Sequence, residues 1–212
     1  DISMTNTASA TGDDAAYDAL LARCGALRVD TSSEMMCALT ALLHQPAFSG
    51  NRLGLVTMTG GLAAICVETA ERYGFVFPRI TDEAQQALGK IVPDFLRQTN
   101  PIDLGNASVD MLHTSMNQLF NDPNVDGVIL ILLVNAYITD ETIMNLWDAV
   151  KDSPQQLGKP TTWCLMGRTE VPALVEQLRQ RGCAAYQSPD DAAFGMYALR
   201  HYAQARKLIG GE

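Results

Sequence analysis

Apolar residues recur along this chain in two rhythms, and the switches between them outline its elements. Helical spacing marks residues 13–25, 30–45, 62–74, 81–92, 109–121, 139–152, 171–182 and 188–208. Short, nearly continuous apolar runs predict buried strands at 52–58 (RLGLVTM), 75–78 (FVFP), 125–134 (VDGVILILLV), 160–166 (PTTWCLM) and 183–187 (CAAYQ). A further short strand candidate is ALRV at 26–29. The punctuation agrees. Gly25 suits the stop of the first helix, Thr81 caps the helix at 81–92, and Ser188 caps the last one ahead of Pro189. PAFSGN (46–51) is a linker and RQTNPIDLGNAS (97–108) a polar loop.

From residue 52 onward strands alternate with helices, which implies parallel pairing through right-handed crossovers. Runs apolar on both faces suit strands covered on both sides. The expected fold is α/β: a flavodoxin-like, doubly wound parallel five-stranded sheet over 51–212, preceded by a helical arm or partial domain over 1–50. The longest apolar run, GVILILLV at 127–134, is too short to span a bilayer. The chain begins at Asp1 in a stretch that reads like the middle of a loop, so a piece of a longer polypeptide is expected.

Composition narrows the function. With 212 residues, 47% hydrophobic and 18% charged, the chain can bury a large core. Its net charge of −9 argues against nucleic acid or an anionic membrane as main partner, since both reward Lys and Arg. A phosphate ligand stays open, because backbone N–H groups can build a local anion site. Cys24, Cys37, Cys66, Cys164 and Cys183 form no C-x-x-C pair, and scattered through apolar segments they suggest reduced thiols in a cytoplasmic protein.

In a sheet of order 2-1-3-4-5, ligands bind at the carboxyl ends of the first and third strands. The first ends in TMTGG (57–61) and the third in VNAY (134–137). Thr59, Gly60 and Gly61 would place free N–H groups at a positive helix end, where a phosphate fits, or would simply make a tight strand-to-helix turn. No G-K-[ST] follows, and the dinucleotide G-x-G-x-x-G spacing is absent. Asn100 and Asp103 in NPIDL can order a loop or face a ligand. His44, His113 and His201 sit on helices without metal or triad spacing, so no metal site is expected.

An ordered series of segments then carries a resemblance. TNTASATGDDAAYDALLARCGALRVDTSSEM, NRLGLVTMTGG, NPIDL, DPNVDGVILIL, GKPTTWCLMG and GCAAYQSPDDAAFGMYALRHY together resemble the nucleoside-diphosphate-forming acyl-CoA synthetases, relatives of succinyl-CoA synthetase. The resemblance covers nearly the whole chain. It implies the end of a phosphohistidine-loop domain (1–50) followed by a flavodoxin-like domain (51–212). It further implies that CoA and ATP/ADP with Mg bind elsewhere, through a CoA-binding domain and an ATP-grasp module in the same polypeptide or a partner subunit. No covalently bound cofactor is implied, and a homo-oligomer is possible.

In that family phosphate passes between nucleotide and acyl group through a histidine, and CoA then displaces it to give a thioester. By resemblance Gly60 and Gly61 would cradle the phosphate of the phosphohistidine. The family's loop typically reads S-H-T-G-x-x-x-G-x-D. Here Thr5-Asn6-Thr7 stands against Ser-His-Thr, so Asn6 occupies the histidine position. An amide hydrogen-bonds but does not accept a phosphoryl group as imidazole does. Three explanations stay open: a natural non-catalytic relative, like the synthetase-like acyl-CoA-sensing part of certain protein acetyltransferases; a replacement made to block turnover; or a reaction that bypasses the relay.

Overall fold

The computed structural model describes residues 13–210 except 94, 95, 97, 136 and 137. Five parallel strands form one sheet: β1 (Leu53–Thr57), β2 (Ile102–Asp103), β3 (Gly127–Val134), β4 (Thr161–Gly167) and β5 (Ala184–Tyr186), in the order β2-β1-β3-β4-β5. Around it run α1 (Asp14–Arg23), α2 (Ser32–His44), α3 (Gly60–Arg72), α4 (Asp82–Leu88), α5 (Val109–Asn121), α6 (Asp140–Val150), α7 (Ser153–Leu157), α8 (Val171–Gln180) and α9 (Pro189–Gly210). The fold is the expected flavodoxin-like α/β sheet, with the direction of winding changing between β1 and β3.

Strand periodicity sorts the core into two layers. On β3, Leu130, Leu132 and Val134 join the side packed by α4, α5, α6 and α8, while Ile129 and Ile131 join the side packed by α2, α3 and α9. Arg52 holds the start of β1 against the turn before β3: its backbone N and side chain donate to Asp126, at 2.6–3.0 Å. Arg200 of α9 closes the carboxyl end of α3, donating to Tyr73 O and, at 3.2 Å, to Gly74 O, with its guanidinium 4.1 Å over the Phe75 ring.

α2 lies against α9 and β5. Its small residues Cys37, Ala38 and Ala41 are buried, and Cys37 O accepts the Tyr186 hydroxyl at 2.9 Å. Its large residues Met35, Met36, Leu39, Leu42 and Leu43 are exposed. α1 buries no residue and is tied by Arg28 to Asp14 and Asp18. At the other margin of the sheet, Arg179 Nε donates to Ala185 O of β5 at 2.8 Å.

The helix expected at 81–92 ends at Leu88, with Gly89 at its cap, and three further local expectations change. ALRV (26–29) forms no strand, because no described strand lies beside it; Leu27 and Val29 instead pack on the α3/α9 side. FVFP (75–78) makes only one bridge, Val76 with Arg52. It ends in Pro78, which has no N–H to extend a ladder. The second strand comes instead from NPIDL, whose Ile102 and Asp103 pair with Val56 and Thr57. The helix expected at 139–152 ends at Val150, and a separate short helix, α7, begins at Ser153 with Pro154 in its first turn.

Between that bridge and β2, the free edge of β1 is completed by a side chain. Asn100, 7% exposed, accepts Leu55 N–H on Oδ1 at 3.0 Å and donates through Nδ2 to Leu53 O at 2.7 Å and Pro78 O at 3.0 Å. Asn100→Ala is expected to lose roughly 3 kcal/mol, because buried backbone groups are left unpaired. Asn100→Asp keeps the acceptor but turns a second oxygen onto two carbonyls, and is expected to be no more stable than the alanine variant. Urea unfolding checks both; a loss below about 0.5 kcal/mol, the range of neutral surface changes, rejects this role.

Candidate functional site

At the carboxyl edge of the sheet, β1 leads through Met58 and Thr59 into α3. Thr57, fully buried, organises the turn: its hydroxyl accepts Thr59 N–H and donates to Thr59 O, both at 3.0 Å. Thr31, Thr81, Ser108 and Thr139 each cap a helix by accepting a backbone N–H three residues on. Thr59 stands at the same position of α3 with no such bond. The first N–H groups of α3, on Gly60, Gly61 and Leu62, have no carbonyl within the helix to bond. That end carries the positive pole of the helix dipole.

β2 brings a carboxylate to this end. Asp103 pairs with Thr57 in register, and its Oδ1 accepts Gly105 N–H at 3.1 Å. A Cβ added to Gly60 would stand 3.1 Å from Asp103 Oδ2, tighter than ordinary packing, whereas one added to Gly61 would meet open space. Glycine is therefore set by the carboxylate at position 60 and not by sterics at 61. Thr57, Gly60 and Asp103 line a cavity of about 260 Å³, walled on its apolar side by Ala63, Ala64, Val67 and Pro101.

The sequence-predicted residues fall into three places. Gly60 and Asp103 meet across the cavity, with Thr59 and Gly61 flanking Gly60 in the chain. Asn100 is buried under the segment, with its amide engaged by backbone. Asn6 lies outside the described residues, as do Ala136 and Tyr137 after β3. Thr57 and the small-residue wall were not singled out in the sequence. Thr57 could have been found, being the one polar residue at the end of an apolar strand. The pairing of Asp103 with Gly60 had a fainter signal, the alternation of Ile102, Asp103 and Leu104.

No Cys or His is among the described residues that line this cavity. Burial lowers His44 and His201 below the usual imidazole range. Burial pushes the Cys37 and Cys66 thiols up to about 12, with nearby aspartates adding to it, and raises Cys164 and Cys183 as well. Among the described residues no group of three or more His, Cys, Asp and Glu could hold a metal ion, and no helix is long and apolar enough to cross a membrane.

No family model matches the chain. It is 27% identical to acetate–CoA ligase [ADP-forming] II subunit alpha of Pyrococcus furiosus over 211 residues, 98% of this chain and 45% of that one. Over 127 residues it is 32% identical to 4-hydroxybutyrate–CoA ligase [ADP-forming] of Nitrosopumilus maritimus, covering 59% of this chain and 18% of the ligase. The fold matches the dinucleotide-forming acetyl-coenzyme A synthetase 1 of Ca. Korarchaeum cryptofilum, solved with phosphate and ADP, at a TM-score of 0.85 and 27% identity over 99% of this chain and 45% of that one. The chain is similar in sequence and fold to ADP-forming acyl-CoA ligases. It spans less than half the length of each of these relatives. The sheet and α3 lie within the region matched to the Korarchaeum synthetase.

The buried thiols have a direct check. With Ellman's reagent at pH 8, the native chain is expected to label quickly at one thiol, the exposed Cys24, and at all five after unfolding. Rapid labelling of more than one native thiol would mean that the core layers open.

Proposed function

We propose that this chain is the part of an NDP-forming acyl-CoA synthetase that holds the transferred phosphate, at the carboxyl edge of its sheet. The observation that carries this is the uncapped amino end of α3 opening on the cavity shared with Asp103, in a chain similar to ADP-forming ligases. The N–H groups of Gly60 and Gly61 would bind phosphoryl oxygens and, being fixed by the helix, would stabilise charge without reorganising. CoA and ATP/ADP with Mg would be held by CoA-binding and ATP-grasp domains, in the same polypeptide or a partner subunit. Residues 1–50 would complete a phosphohistidine-loop domain, and residues 51–212 form the flavodoxin-like one. The uncharged exposed stripe of α2 supports a partner surface on that side. A cytoplasmic location accords with the free thiols.

Asn6 favours a second function. With an amide at the histidine position, the chain would serve as a catalytically inactive synthetase-like module that senses acyl-CoA. Thioester formation separates the two. The chain, joined to its CoA-binding and nucleotide-binding partners, is given nucleoside triphosphate, CoA and a panel of short acids, as it stands and as Asn6→His. Activity confined to the histidine form is expected for a ligase whose relay is disabled. Activity in both forms would remove position 6 from the phosphate path. Inactivity in both, with acyl-CoA still bound, would establish the sensing module.

A further inference from the structure

The outer face of α2 is apolar and exposed. Its small residues turn onto α9 and β5, and five large ones, Met35, Met36, Leu39, Leu42 and Leu43, are left outside, exposed from 37% at Leu42 to 76% at Leu43. Single exposed apolar residues are ordinary, but a contiguous set on one helix marks a contact surface. The layout of this set is symmetric. Met35 and Met36 stand one turn before Leu39, and Leu42 and Leu43 one turn after it. Counted at about 100° per residue from Leu39, Met35 and Leu42 lie about 40° and 60° to one side, and Met36 and Leu43 about 60° and 40° to the other.

Such a face is its own mate. Set antiparallel to a copy of itself about a two-fold axis passing Leu39, α2 brings Leu39 onto the partner's Leu39, Met35 onto the partner's Leu42 and Met36 onto the partner's Leu43. Every large side chain meets an apolar one, and each contact occurs twice, which is the requirement of an isologous interface. A different partner sets no such condition on the face. We propose that two copies of this chain associate through α2, paired antiparallel about Leu39. Five large side chains from each copy remove on the order of 1,000 Å² from water, the size at which specific interfaces begin, so the association is weak and concentration-dependent. The chain carries a net charge of −9, and two copies repel at long range. From Met35 to Leu43 there is no charged residue, so that repulsion is not concentrated where the copies meet. An uncharged, methionine-containing centre is also the composition of interface cores. The dimer goes beyond the phosphate function proposed above and does not depend on it.

Sedimentation equilibrium of the full chain, from roughly 1 to roughly 300 μM, tests the proposal. The mass is expected to rise from the 23.0 kDa monomer toward twice that value. Leu39→Glu and Leu39→Lys each set like charges across the axis, and each alone is expected to weaken the dimer at least roughly tenfold. Their unfolding midpoints are expected to stay close to that of the unmodified chain, because Leu39 is 44% exposed. Mixed in equal amounts, the two variants are expected to associate at least roughly tenfold more tightly than either alone, since Glu then faces Lys. A damaged fold does not produce recovery by mixing. If the Leu39 variants do not fold, Leu43→Glu replaces them at the most exposed of the five positions, with the same weakening expected. An unmodified chain that stays monomeric at the highest concentration overturns the proposal and leaves the stripe to a different domain of a longer polypeptide. A dimer that these substitutions leave intact uses another face and also overturns it. So do Leu39 variants that associate no better mixed than alone.

Discussion

The edge of β1 is the constraint on which the rest of this structure depends. On one side all five residues of β1 run beside β3; on the other, β2 reaches only Val56 and Thr57. Leu53 and Leu55 are fully buried, and a buried backbone group without a partner costs as much as a lost hydrogen bond. The Asn100 amide bonds to both, acting as a short length of strand made from a side chain. Because Asn100 stands just ahead of Ile102 and Asp103, the residue that satisfies the edge also sets where β2 lands. Asp103 reaches the amino end of α3 as a result of that backbone requirement.

The legible part of the fold was the part fixed by uniform burial. GVILILLV could only be a central strand, and it became β3, with its odd and even residues divided between the two core layers. The choice between FVFP and NPIDL as second strand was not legible, because hydrophobic content pointed to the first. What decided it was the hydrogen bonding of Asn100, a polar residue that any window of apolarity counts against a strand. At the candidate site, TGG at the end of β1 was recognisable as a strand-to-helix turn. That Thr59 would leave α3 uncapped was not, since threonine caps helices elsewhere in the same chain. Asp103 was visible as a polar residue in a loop; its closeness to Gly60 arises from the parallel register of β1 and β2, which no local pattern contains.

α2 shows a different limit of pattern. Apolar residues fill most of its surface, so periodicity alone does not say which face turns inward. The packed face is the small one, Cys37, Ala38 and Ala41, which lets α9 and the Tyr186 hydroxyl come close. The bulkier apolar residues remain outside. Space between the elements, not hydrophobicity, chose the buried face.

Strands at the margins of a sheet invite pairing with foreign chains. Here each margin is finished by a polar side chain: Asn100 along β1 beyond the reach of β2, and Arg179 on a carbonyl of β5. Neither demands another strand, and each consumes backbone groups that an incoming peptide would need. The same economy that completes the sheet therefore guards it against edge-to-edge aggregation.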